Sequence, residues 1–408
     1  MPPTSLVART TSPTRIFTSS YPPLPTTPHT TTWDLIQTTA RSNPSACALL
    51  CGVTQDEMTF GDFDVAVQKV ATSLAQRGVS KGRVVLTNMI NCVEYPILYH
   101  ALTALGAVLS PAAPTFSATE LGHQLVASNA SFLVSHASVE AIAAEVAVAH
   151  NIPSDRCFSV GPTTMMQKFR DLLQVDAIHI PHVVIDHASD INTLPYSSGT
   201  TGRPKGVKLS FANLAINIQQ MAFMEPMTSP LVLALPMYHL YAGLLMNAAL
   251  LCGQPLVVLP KFDLATFLQA LQVHKSEKAF IVPPIATLMA THPLVDEYDL
   301  SATKYFVSAA APLGPTLEAA VQARLGIKTK QAYGMTELSP LVHYTRDGHE
   351  RPAASGHLVP NTELRVVCPT TGADLGPHQI GELWYRGPQV MLGYLNNDDA
   401  TRVRKSKR

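Results

Sequence analysis

The chain has 408 residues, 46% of them hydrophobic and 14% charged, with 29 Lys+Arg balanced by 29 Asp+Glu for a formal net charge of zero. This composition excludes a disordered chain and implies two or three lobes around large cores, and the charge balance gives no reason to expect nucleic acid as a partner. The six cysteines (Cys47, Cys51, Cys92, Cys157, Cys252, Cys368) form no CxxC pair and no zinc-finger spacing, which fits a reducing interior and a cytoplasmic setting.

Taken in chain order, the first 33 residues lack acids and are rich in Ser, Thr and Pro. Their prolines spoil an amphipathic targeting helix, so residues 1–14 are expected to be a disordered lead-in. Short apolar runs then alternate with helix-length segments. RVVLTNM, AVLSPAA and SFLVSH read as strands, and Glu94–Leu105 and Ala118–Ser128 as helices. IHIPHVVIDH holds His179, His182 and His187 but reads as strand and loop, not as a helix presenting metal ligands. From Leu231 to Pro260 there is no charged residue, yet Pro236 and Gly253-Gln254-Pro255 divide the stretch into strand, helix and strand. That pattern predicts buried core and no membrane span. AFIVPP, KYFVSAA and KTKQAY continue the strands, with helices over Leu264–Val273 and Pro315–Leu325.

Such alternation predicts an α/β fold of two packed αβ subdomains with mostly parallel sheets. From about residue 355, TELRVVCPTTGADLG and GELWYRGPQ read as strands joined by turns, a partial β-rich subdomain. The last seven residues, RVRKSKR, read as a solvated basic tail in which no helix or strand buries anything, and they miss a Ser-Lys-Leu address.

The chemistry begins at YSSGTTGRPKGVKLS, Tyr196–Ser210. Glycines and hydroxyls between strand and helix let backbone amides approach an anion, so a phosphate-bearing ligand is implied. Lys205 is followed by Gly206, which excludes the Walker pattern, and Pro204 stiffens the chain where the lysine leaves it.

LPYSSGTTGRPKGVKLS resembles the signature of the adenylate-forming (AMP-binding) superfamily, and the remainder is similar to its 4-coumarate–CoA ligase branch. LPMYHLY, VPPI, HPLVDEYDLSATKYFVSAAAPLG, QAYGMTELSP and GELWYRGPQVMLGYLNN follow in the family's order, so the likeness covers residues 15–401. It implies an acid–CoA ligase that uses ATP, Mg2+ and coenzyme A on a small carboxylic acid; fatty-acid or luciferase-like acyl-adenylating enzymes differ mainly in the pocket. On this resemblance Ser197, Ser198, Gly199, Thr200, Thr201, Gly202 and Lys205 cradle the β- and γ-phosphates, Thr336 bonds the α-phosphate, and Glu337 holds the metal. His239 stands beside the acyl carboxylate. Tyr241, Val307, Ala309 and Ala332 shape the acyl pocket, and Ala310, Ala311, Pro312, Gln331, Tyr333, Gly334 and Met335 border the nucleotide.

The sequence departs from that family at several points. Ala309, Ala332 and Ala353 stand at customary glycines, where each methyl narrows the space and discourages positive φ, and Phe211 stands at a customary histidine. TGAD at Thr371–Asp374 falls in the hairpin before GELWYRG, ahead of the position of the family's ribose-binding Thr-Gly-Asp. The resemblance therefore implies a chain without the ribose clamp, the adenylation lysine or the small mobile domain, either an enzyme impaired in turnover or a non-catalytic homologue that binds ATP and an acyl group, with open sheet edges and with Trp384 and Tyr394 poorly covered.

Overall fold

A computed structural model describes residues 15–25, 29–197 and 204–405. The lead-in at 1–14 lies outside them, as do Ser198 through Gly202 of the phosphate loop.

The described residues form a mixed α/β fold of four sheets. One sheet is built around the parallel run Val108–Ala112, Val84–Asn88, Phe132–His136 and Cys157–Val160, and its antiparallel end carries Ile191–Thr193, Lys205–Ser210 and Tyr196–Ser197. A second joins Leu231–Leu233 and Leu256–Val258 in parallel to Cys47–Cys51. A third runs Lys278–Ile281, Tyr305–Ser308 and Lys328–Gly334 in parallel, then turns antiparallel through Leu341–Tyr344 and His357–Leu358. The switch to antiparallel pairing thus begins before residue 355. Parallel strands buried on both faces need continuous apolar runs, and LVL, LVV and AFI supply them.

Local signals explain the helices. Ser117 caps Ala118–Ser128 in a reciprocal bond with Glu120. Pro315 opens Pro315–Leu325, and Gly326 at φ +68° closes it. The uncharged stretch from Leu231 folds as strand, helix Leu240–Leu251 and strand, its helix buried almost all round. Among the described residues no helix is long and apolar enough to cross a membrane.

The structure corrects three expectations. The segment IHIPHVVIDH contains no strand; Val108–Ala112 is already flanked by Ile191–Thr193, which leaves it no pairing position. The basic tail begins inside a helix, Asp398–Lys405. Asn397 accepts the Ala400 amide and two aspartates occupy the first turn, where they oppose the helix dipole favourably, although Arg402 and Val403 stay exposed. Tyr394 is 3% exposed and Trp384 is half-buried under the Arg365 guanidinium, 5.3 Å from the ring centroid. The small third lobe is also better covered than expected. Phe17–Thr18 adds an antiparallel strand to Glu363–Val367, which pairs on its other side with Glu382–Arg386.

Candidate functional site

The phosphate-loop flanks lie on an antiparallel pair in which Ser197 faces Lys205 and Tyr196 faces Gly206. A side chain at 206 would meet the Tyr196 ring at 3.2 Å and Leu395 at 3.3 Å, so glycine there lets the aromatic ring lie across the strand. The YGMTE segment approaches from the third sheet. A Cβ on Gly334 would sit 2.1 Å from the Pro340 carbonyl oxygen, a contact only glycine permits. Met335 then donates its amide to that same carbonyl at 2.9 Å, and the chain turns into the short 3-10 helix Thr336–Leu338.

That turn delivers Glu337 to the flank of the phosphate loop. The Ser197 hydroxyl donates to Glu337 Oε1 at 3.1 Å and the Tyr394 hydroxyl to the same oxygen at 2.8 Å. The Lys205 ammonium lies 5.4 Å from the centroid of the Tyr394 ring, a cation–π distance. Three segments far apart in sequence therefore meet at one carboxylate.

His239 caps the helix Leu240–Leu251, its Nδ1 accepting the Tyr241 amide at 3.4 Å. The residue is exposed, yet its desolvated surroundings lower its pKa below the ordinary 6.5, so it is neutral at pH 7. Its neighbour Leu240 packs with Val207, Leu214, Met391 and Tyr394, which ties the histidine's helix to the lysine's strand. The Tyr241 phenol donates to the Val307 carbonyl at 3.3 Å, and burial raises its pKa, keeping the proton on.

Val307 and Ala309 are buried, whereas Ala310, Ala311 and Pro312 are exposed at the strand's C-terminal end. Gln331 reaches the site through this loop. Its carboxamide accepts the Leu313 amide at 2.9 Å and donates to the Leu313 carbonyl at 3.0 Å and to Glu318 at 2.6 Å. Glu318 in turn accepts the Ala353 amide at 3.3 Å. Ala332 is half-buried opposite Tyr344, and the exposed Tyr333 packs near His343 and Tyr385, with centroids 6.0 and 6.4 Å away. Ala353 does adopt positive φ, at +58°, and so does Ala310, at +71°. Phe211 opens its helix with 1% exposure and packs edge-on to His187.

Below the floor, Lys278 and Lys330 both reach Glu225 and Asp347, and the Tyr344 hydroxyl donates to Glu225 at 2.6 Å. This network, buried at Glu225 and Lys330 and open to solvent at Asp347, locks the third sheet to the end of the helix Phe211–Met224. Beside Tyr238 opens an apolar cavity of ≈ 640 Å³, lined by Met89, Pro114, Phe262 and Ile285 with Lys261 among its lining residues. Asp374 of the TGAD turn lies elsewhere, paired with Arg365 at 2.8 Å and accepting the Arg15 amide.

Tyr394 and Glu318 were not visible as site residues from sequence. Tyr394 sits in GYLNN, whose residues carry no phosphate or metal chemistry in their pattern, and Glu318 is one of several acids on helices.

A family model for AMP-binding enzyme matches residues 36–395. The chain belongs to the AMP-binding enzyme family. 4-Coumarate–CoA ligase 5 of Oryza sativa subsp. japonica is 34% identical to this AMP-binding enzyme over 406 residues, covering 95% of this chain and 73% of that protein. A probable 4-coumarate–CoA ligase 2 of Dictyostelium discoideum is 34% identical over 412 residues, 94% of this chain and 74% of that one. Among solved structures, a long-chain-fatty-acid–CoA ligase of Archaeoglobus fulgidus superposes with TM-score 0.86 at 25% identity, covering 94% of this chain and 79% of that one. ATP-bound MatB of Rhodopseudomonas palustris gives 0.81 at 26% identity, covering 91% and 73%. This AMP-binding enzyme thus has the N-terminal fold of the adenylate-forming enzymes and belongs among the acid–thiol ligases.

Proposed function

We propose that this AMP-binding enzyme activates a carboxylic acid with ATP and passes the acyl group to the thiol of coenzyme A. A carboxylate oxygen bonds to the α-phosphorus as the bond to pyrophosphate breaks. The thiolate sulfur then bonds to the acyl carbon, and AMP leaves with the electron pair. Both steps bring anions together, so fixed positive and hydrogen-bonding groups aimed at the phosphates lower the barrier.

The observation that carries the reading is the junction of Ser197, Lys205 and Glu337. Lys205 and the hydroxyl-rich loop it closes receive the β- and γ-phosphates, and Thr336, opening the turn that bears Glu337, donates to the α-phosphate. Both described hydrogen bonds to Glu337 fall on Oε1, which leaves Oε2 for a cation, and an all-oxygen donor set suits magnesium. Magnesium, when bound, would neutralise phosphate charge there. Neutral His239 offers Nε2–H to the carboxylate under attack. The loop Ala310–Pro312, Gly334, Met335 and the exposed face of Tyr333 border the adenine, and Tyr241, Val307, Ala309 and Ala332 shape the acyl pocket. The apolar cavity beside Tyr238, with Lys261 among its lining residues, suits the thiol substrate's long arm and phosphate. All six cysteines are unpaired, which supports a reducing, cytoplasmic setting.

Within the 408 residues no aspartate or lysine matches the family's ribose clamp and adenylation lysine. The polypeptide taken by itself is therefore proposed to bind ATP but turn over slowly, since losing one transition-state donor costs on the order of a hundredfold or more. Acid-dependent exchange of labelled pyrophosphate into ATP, across cinnamates and medium-chain fatty acids, tests this. Slow exchange selective for some acids is the expected result. Absence of Mg·ATP binding by calorimetry, with Lys205→Glu changing nothing, would remove the basis of the reading; brisk exchange would remove the proposed impairment.

A further inference from the structure

Tyr394 belongs neither to the phosphate loop nor to YGMTE, yet its side chain touches residues of both. It lies on the strand Gly393–Tyr394, whose antiparallel register puts it opposite Val207. Lys205 is two positions from Val207 and so shares its face of the strand. The Tyr394 side chain is 3% exposed and packed among Val207, Leu209, Leu240 and Met391. Its amide donates to Thr401 Oγ1 at 2.9 Å, and the adjoining Met391 amide donates to the Glu337 carbonyl at 2.9 Å. The ring is thus held by packing and the backbone by hydrogen bonds, while the hydroxyl reaches Glu337 Oε1 at 2.8 Å.

Glu337 is different. It stands on a three-residue 3-10 helix, is half-buried, and has a side chain with several rotatable bonds. The described hydrogen-bonding partners of its carboxylate are Ser197, which adjoins the phosphate loop, and Tyr394, which is anchored in a core. A donor on a rigid ring fixes one carboxylate oxygen and thereby aims the other. A carboxylate already aimed loses less rotamer freedom when it takes up a cation.

We propose that Tyr394 is a positioning residue for the magnesium–nucleotide, its hydroxyl holding Glu337 so that Oε2 meets the ion. The inference rests on the reading of Glu337 as the metal-facing carboxylate. It adds that the strand Gly393–Tyr394 tunes the affinity of the first step for magnesium.

The test is calorimetric ATP binding by the 408-residue chain across a magnesium titration, with wild type, Tyr394→Phe and Glu337→Gln. Phenylalanine keeps the ring and its packing and removes only the hydroxyl. Tyr394→Phe is expected to raise the magnesium concentration for half-maximal ATP binding roughly tenfold, the size of one hydrogen bond to a charged group, and to regain wild-type ATP affinity at saturating magnesium. Glu337→Gln should shift the same curve further. Three outcomes overturn the inference. A Tyr394→Phe curve that overlays wild type while Glu337→Gln moves would leave the metal reading standing without Tyr394. Equal loss of ATP affinity at every magnesium concentration would make the hydroxyl merely structural. A Glu337→Gln curve that does not move would sink the metal reading itself.

Discussion

Gln331 and Glu318 meet through a 2.6 Å hydrogen bond under the exposed loop that runs from Ala310 to Pro312. Because the same carboxamide also pairs with both the amide and the carbonyl of Leu313, its truncation strands several buried polar groups at once. Gln331→Ala is expected to cost about 2–3 kcal/mol in urea unfolding. It should also weaken ATP binding, through the displaced loop, with Glu318→Gln giving a smaller loss of both.

Gly334 has no room for a methyl group, its added Cβ falling 2.1 Å from a backbone oxygen. Gly334→Ala must push the strand away from Pro340 and carry the Thr336–Leu338 turn with it. ATP affinity by calorimetry is expected to fall at least tenfold, whereas Gly348→Ala, whose methyl meets no atom within 4 Å, should leave ATP affinity unchanged despite its strained φ of +79°.

Ala353, an exposed residue, pays for its left-handed conformation without gaining side-chain contacts that glycine would lose. Ala353→Gly is expected to stabilise the chain by about 0.5–1 kcal/mol, the relief of positive φ less the added freedom of the unfolded chain. The denaturation midpoint measures it; an unchanged or lowered midpoint contradicts the assignment of strain.

His100 is fully buried against Trp33, Phe63 and Tyr99, and burial lowers its pKa from 6.5 to about 3. The folded chain therefore refuses a proton that the unfolded chain accepts below pH 6.5. Its contribution is full above that pH and is lost as pH falls towards 3, at up to about 1.4 kcal/mol per pH unit. His100→Phe should flatten the acid limb of the stability–pH curve relative to wild type. An acid limb of equal slope in both proteins would show that this ring is not a source of the loss.

Elements with a local cause were legible in the sequence, and those with a distant cause were not. The bounds of Ala118–Ser128 and Pro315–Leu325 could be read because Ser117 with Glu120, and Pro315 with Gly326, mark the ends chemically. The helix Asp398–Lys405 was missed because its start signal, Asn397 with two aspartates, precedes the basic run that drew attention. Strand pairing obeys no local code, so nothing in CALLC reveals that it joins Leu256–Val258. At the site, Ser197 and Lys205 stood out because glycines and hydroxyls beside a lysine carry phosphate chemistry, whereas Thr336 and Glu337 stood out only through the family resemblance of YGMTE. Their supporting residues did not: Glu318 and Tyr394 act through what the fold places beside them, and a tyrosine next to a glycine in GYLNN has many ordinary uses.

The pairing of Phe17–Thr18 with Glu363–Val367 has a bearing on synthesis. Arg15 and Asp374, whose backbone–carboxylate bond closes that lobe, are 359 positions apart, so a nascent chain emerging from the ribosome must carry Phe17–Thr18 unpartnered until the strands around Asp374 have been translated. The large sheets can condense meanwhile, and the small lobe closes only after them, a slow step imposed by connectivity.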